Sequence, residues 1–155
     1  MDPYTNWSAT LKSFHDHFRR DLGRLIQAPE SLKRKSPKPL LRSTAQYLSY
    51  LHTHHTIEDR RIFPFLTRKM DVSGFAKDHK QLEKIMEKIE QTCEEQKKKG
   101  EKCQEEETFD VDGFTKLLKE LRDLVFPHMQ LEEDLTAPEK MKSLFSPEEM
   151  RLMLS

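Results

Sequence analysis

Glycine is scarce, 4 in 155 residues, and a sheet protein with many tight turns needs more of it. No stretch alternates apolar and polar residues as a half-buried strand does. No apolar run approaches the length of a membrane span, and the first thirty residues lack the apolar stretch of a secretory leader. A net charge is also lacking, because Lys plus Arg and Asp plus Glu each number 27. No long-range field therefore draws the chain to nucleic acid or to an anionic membrane. Cysteine is limited to Cys93 and Cys103, in or near a highly charged segment and without metal-finger spacing. Two such thiols read as free in a reducing compartment, so a cytoplasmic protein is expected.

What is present suits helices. Hydrophobic and charged residues each make up 35%, the balance of amphipathic helices with solvated outer faces. The length is that of one domain with one buried core. Pro29, Pro37 and Pro39 bracket a basic stretch from Ser31 to Lys38, which reads as the first connection. Pro64 marks the end of a second periodic segment, and Asp71 to Gly74 reads as a turn. The run from Glu94 to Glu107 is almost all Glu, Lys and Gln, the pattern of a frayed helix end and a solvated loop around Gly100. Four segments with helical period lie between these breaks: Tyr4–Gln27, Leu40–Leu66, Phe75–Lys98 and Val111–Thr136. Four long helices with modest connections predict an all-α, up-down four-helix bundle over residues 1–138. A short helical tail over 139–155 is expected to pack on it, with Ser146, Pro147 and Glu149 forming a helix start.

At about 100° per residue the histidines can be assigned to faces. The first stripe is Trp7, Leu11, Phe14, Phe18, Leu22, Leu25 and Ile26; His15 lies inside it and His17 opposite. The second is Tyr47, Leu48, Leu51, Ile62 and Phe65, with Glu58 near its middle, His54 and His55 towards its edges and His52 beyond, beside Asp59. The third is Phe75, Leu82, Met86, Ile89 and Cys93; His79 is on that line and Glu83 at its edge. The fourth is Phe114, Leu117, Leu118, Leu121, Leu124, Val125, Leu131 and Leu135, centred on His128 and Glu132, with Glu133 and Asp134 turned outward. Pro127 removes one helical hydrogen bond beside this histidine and predicts a kink there.

Taken singly, a buried histidine is a hydrogen-bonded core residue more often than a ligand. Here each of four helices delivers one to the interior, and two also deliver a Glu four residues later. Such groups cannot stay mutually unpaired in an apolar core. A pair of metal ions satisfies them together, imidazoles in terminal positions and carboxylates as bridges. The nitrogen and oxygen donors suit Fe or Mn, with Zn as a further substitute. The order is His-x-x-x-Glu, and no Glu-x-x-His occurs, which argues against the ferritin-type pattern.

At these residues the chain resembles the hemerythrin-like, or HHE cation-binding, family. The resemblance runs through HDHFRRDL, HHTIEDRRIFP, DHKQL and FPHMQLEED in order, with Pro64 and Pro138 each six residues after a Glu. The second of these pieces and the C-terminal PEEMR also resemble a subgroup common in fungi. The resemblance implies a non-haem site of two Fe ions with an oxo or hydroxo bridge, held by His15, His54, Glu58, His79, His128 and Glu132. Hemerythrins proper carry a second histidine on the third helix where this chain has Glu83, while His55 stands where some relatives have a Glu ligand. His55 or Glu83 is therefore expected to complete the shell or to stand beside it. Otherwise His55 would pair with Asp59 at the surface, and Glu83 would be an exposed helix carboxylate.

Three functions follow from the resemblance. The leading one is a protein that binds O₂ or a related small oxidant in carrying, sensing or scavenging. An oxygenase or oxidase acting on a small organic substrate is the second. The third is an iron-dependent sensor or interaction module, as in iron-sensing F-box proteins. Whether O₂ is bound, sensed or activated is left open at this level.

Overall fold

The computed structural model describes residues 2–31, 36–102 and 109–155. Cys103 and the charged run up to Glu107, like Lys33 to Lys35 of the first connection, lie outside the described residues. Helix α1 spans Pro3–Ser31 and α2 spans Lys38–Ile57, followed without a break by a π-helical segment, Glu58–Ile62, and by α3, Phe63–Leu66. Then come α4 (Ser73–Lys102), α5 (Val111–Leu135), α6 (Pro138–Leu144) and α7 (Pro147–Leu154). The structure is all-α, and the four long rods form an up-and-down bundle with neighbours α1–α2, α2–α4, α4–α5 and α5–α1. Among the described residues no helix is long and apolar enough to cross a membrane.

Local signals set the helix ends. Asp71 accepts from the Ser73 backbone N–H at 3.0 Å and so starts α4 two residues before the periodic stripe begins. Asp110 caps α5 through the Gly113 N–H at 2.9 Å, and a side chain at 113 would collide with that cap. Pro37 caps α2, and Pro39 lies in its first turn. Ser146 and Glu149 form the expected capping box of α7, with Pro147 in its first turn. Helix α5 runs through Pro127, which is exposed on the outer face, where water can serve the carbonyl that lost its partner. A disturbance of helical register falls at Glu58–Ile62.

Two apolar clusters fill the bundle. One contains Phe18, Leu22, Leu48, Leu51, Leu82, Leu118, Leu121, Val125 and Met129. The other contains Tyr4, Trp7, Leu11, Ile62, Phe63, Phe75 and, from α6 and the last helix, Met141, Phe145, Met150 and Met153. The short helices α6 and α7 thus close one end, where the Tyr4 hydroxyl donates to the Phe145 carbonyl at 2.6 Å. Each of the four rods, α2 taken with its continuation through α3, packs in both clusters and carries a histidine where they meet. Phe14, Leu124 and Leu131, assigned to the apolar stripes, are 54%, 40% and 42% exposed, because each stripe is wider than the seam it packs into. Cys93 is buried and free, and burial pushes its thiol up to about 11, which leaves it unreactive.

Candidate metal centre

The layer between the two clusters is polar. His15 comes from α1, four residues after Leu11 and three before Phe18, which belong to different clusters. His54 and His55 come from α2, Glu58 from the π-helical segment, His79 from α4, and His128 and Glu132 from α5. His15, His55, Glu58, His79, His128 and Glu132 are all buried, and His54 keeps one edge partly exposed. All six residues expected from the His and His-x-x-x-Glu spacing meet here. His55 joins them: its ring stacks on His79 with centroids 4.1 Å apart, instead of pairing with Asp59 at the surface. Glu83 does not join them; it is exposed on the outer face of α4, as are His17 and His52 on their own helices.

The donor atoms fall into two groups, each drawn together within 4.8 Å: His55, Glu58, His79 and His128 in one, His15, His54 and Glu58 in the other. Glu58 belongs to both. Its Oε1 lies 3.3 Å from His54 Nε2 and 3.5 Å from His79 Nε2. Glu132 Oε1 also reaches both ways, 2.8 Å from His128 Nε2 and 3.8 Å from His15 Nε2. The Glu58 N–H still bonds the His54 carbonyl, so this pair keeps α-helical spacing, and the π-helical turn that starts at Glu58 shifts the register of the residues after it, a local distortion common at functional sites.

Three further carboxylates surround the cluster. Asp59 Oδ1 is 2.9 Å from His79 Nδ1, Asp78 Oδ2 is 3.0 Å from His128 Nδ1, and Glu133 Oε2 is 2.9 Å from His15 Nδ1. Arg19 grips the same Glu133 oxygen at 2.5 Å and Asp16 at 3.0 Å. Glu133 was expected to turn outward; it is instead buried enough to hold His15, because the α1–α5 seam closes over it. Periodicity misses these residues, since none lies on an apolar stripe. The available signal was their place next to a cluster residue in sequence.

With the Nδ1 proton engaged by a carboxylate, each Nε2 is left as an acceptor. In that tautomer His79 Nε2 and His128 Nε2, 3.0 Å apart, would turn two lone pairs on one another. Six buried atoms of the cluster have no hydrogen-bond partner: Nε2 of His15, His54 and His55, both oxygens of Glu58 and Oε1 of Glu132. At about 1–3 kcal/mol each, that deficit rivals the whole stability of a domain, about 5–15 kcal/mol. Cations supply the missing partner to all six atoms at once, and the residues fit such a role.

Electrostatics agree. Burial pushes Glu132 up to about 7, and burial with the adjacent Glu132 holds Glu58 well above the usual carboxylate range. Burial lowers His54 to about 3 and depresses His55 further; His15 is also lowered, burial outweighing its bond to Glu133. Burial thus disfavours charge on His15, His54, His55, Glu58 and Glu132 alike. The lowering of His15, His54 and His55 favours the deprotonated form that metals bind.

No curated protein and no solved structure matches the chain. A family model does, the hemerythrin HHE cation binding domain, over residues 8–139. That span holds all seven histidines together with Glu58 and Glu132. The chain therefore belongs to the hemerythrin HHE cation-binding family.

Proposed function

We propose that the chain is a non-haem di-iron protein that binds O₂ or a related small oxidant. The observation that carries this reading is the sharing of Glu58 between two neighbouring donor groups, the arrangement a carboxylate adopts between two cations. Imidazole with carboxylate suits Fe, and Mn or Zn would accept the same donors. When bound, iron supplies the redox chemistry and the affinity for O₂ that these side chains lack.

The chain's own residues do the rest. Three imidazoles, His55, His79 and His128, serve one position, and two, His15 and His54, serve the other. Glu58 and Glu132 lie between them. The position with fewer imidazoles would have fewer protein donors, and an outside ligand would bind there. Phe18 flanks it, its ring centroid 5.3 Å from that of His54, and the apolar layers on either side exclude water. The test is iron analysis with optical spectra under anaerobic and aerobic conditions. Two irons per chain and absorption that responds to O₂ are expected; a chain that retains no iron after anaerobic reconstitution refutes the reading.

A second reading is favoured by the six unpaired buried atoms: an iron-dependent sensor whose fold tightens on metal. Melting with and without Fe²⁺ separates it, since equal melting points exclude it. Turnover of an organic substrate, in place of stoichiometric O₂ binding, would move the assignment to an oxygenase or oxidase.

A further inference from the structure

Each of the three outer carboxylates is a sequence neighbour of a cluster residue: Asp59 follows Glu58, Asp78 precedes His79, and Glu133 follows Glu132. Neighbours on a helix point about 100° apart. When one of them points at the bundle axis, the other points along the seam towards the next helix. The seams are taken in one sense around the bundle. Asp59, in the π-helical segment that continues α2, holds His79 of α4; Asp78 of α4 holds His128 of α5; Glu133 of α5 holds His15 of α1. Helices α2 and α5 run one way and α4 the other. The following residue on the first two and the preceding residue on the third therefore fall on the same side.

Helix α1 runs with α4, so the same rule selects the residue before His15, which is Phe14. Phe14 does face His54 of α2, with ring centroids 5.9 Å apart. It is 54% exposed and offers no acceptor. Among the described residues the one carboxylate within ion-pair distance of His54 is Glu58, at Nε2. The ring of anchors is closed on three seams and open on the fourth.

We propose that Asp59, Asp78 and Glu133 are positioning residues that lock three ligand histidines with Nε2 inward. Phe14 fills the fourth place of this ring and leaves His54 unanchored; His55 also lacks a carboxylate but is buried, whereas His54 keeps an edge open to solvent, so a cation enters and leaves at the His15–His54 end. This rests on the cluster holding cations. A carboxylate on the far nitrogen fixes tautomer and ring orientation before the metal arrives. An imidazole without one must be oriented by the metal itself.

The test uses the full chain labelled with ¹⁵N-histidine, because imidazole nitrogen shifts report the tautomer without metal. In the metal-free wild type His15, His79 and His128 are expected as the Nδ1–H form and His54 as a mixture. Asp78→Ala is expected to turn His128 alone into a mixture and to lower Fe²⁺ affinity by about 10–100-fold, and Asp78→Glu to restore both. Phe14→Glu, at an exposed position, is expected to bring His54 into the Nδ1–H form. It should also slow Fe²⁺ loss to a chelator by about tenfold or more. Unchanged tautomers in Asp78→Ala, or unchanged His54 and unchanged release in Phe14→Glu, overturn the proposal. A wild type with the expected tautomers that takes up no Fe²⁺ overturns the cation reading, and the exchange half of the proposal with it.

Discussion

Raising the pH should weaken the metal-free chain through Glu132 across a range where an ordinary carboxylate is indifferent. Burial pushes Glu132 up to about 7 from an ordinary value of 4.5. A group whose folded value is raised stabilises fully below the unfolded value and loses that contribution as pH rises through the folded one. Across the whole interval the shift is worth about 3 kcal/mol. His54 acts in the opposite sense, because burial lowers it from 6.5 to about 3. The unfolded imidazole takes a proton that the folded one refuses, so stability falls as pH drops through 6.5, and His15 and His55, lowered likewise, act with it. Between pH 6.5 and 8 Glu132 loses about 1 kcal/mol and Glu58 adds a contribution of the same sign, while the three lowered imidazoles together return about 1 kcal/mol; the difference in slope between wild type and Glu132→Gln therefore isolates the carboxyl. For a chain of this length, each kcal/mol is about 2–4 °C in Tm. The assay is thermal unfolding by circular dichroism at pH 6.5, 7 and 8, with a chelator or with excess Fe²⁺ under anaerobic conditions. Loaded chain should rise in Tm over this window, because cation binding expels the carboxyl protons and so tightens with pH. The same slope in chelated wild type and chelated Glu132→Gln would refute the reasoning.

Other outcomes follow from the same geometry. Glu58→Ala should reduce bound iron from two per chain to one or none while the metal-free fold survives or gains stability, because a buried, unpartnered carboxyl is removed; metal analysis and melting read the two effects. His55→Ala should lower the affinity of the three-imidazole position by about tenfold or more, whereas Glu83→Gln, on the solvated face, should leave iron content unchanged. Equal effects of these two variants would contradict the placement of His55 in the cluster. Phe75→Ala, from a ring 1% exposed in the layer beside His79 and His128, should cost about 3–5 kcal/mol, measurable by denaturant unfolding.

The helical period and the order of the breaks determined the four rods and their up-and-down packing. A stripe of buried apolar residues repeats every three or four positions whatever lies opposite, so it can be read from one helix at a time. The same arithmetic placed His15, His54, Glu58, His79, His128 and Glu132 on inward faces. A charge or imidazole in the middle of an apolar stripe stands out against its neighbours. Residues at the stripe edges were decided only by tertiary structure. His55 and Glu83 had equal standing in sequence, yet one stacks on His79 and the other faces solvent. Both sit at the edge of a stripe, where the way each helix rotates against its neighbours decides between core and solvent. Asp59, Asp78 and Glu133 looked like surface acids for the same reason. Their role depends on which helix lies across the seam, and the order of helices around a bundle is a property of the packed whole.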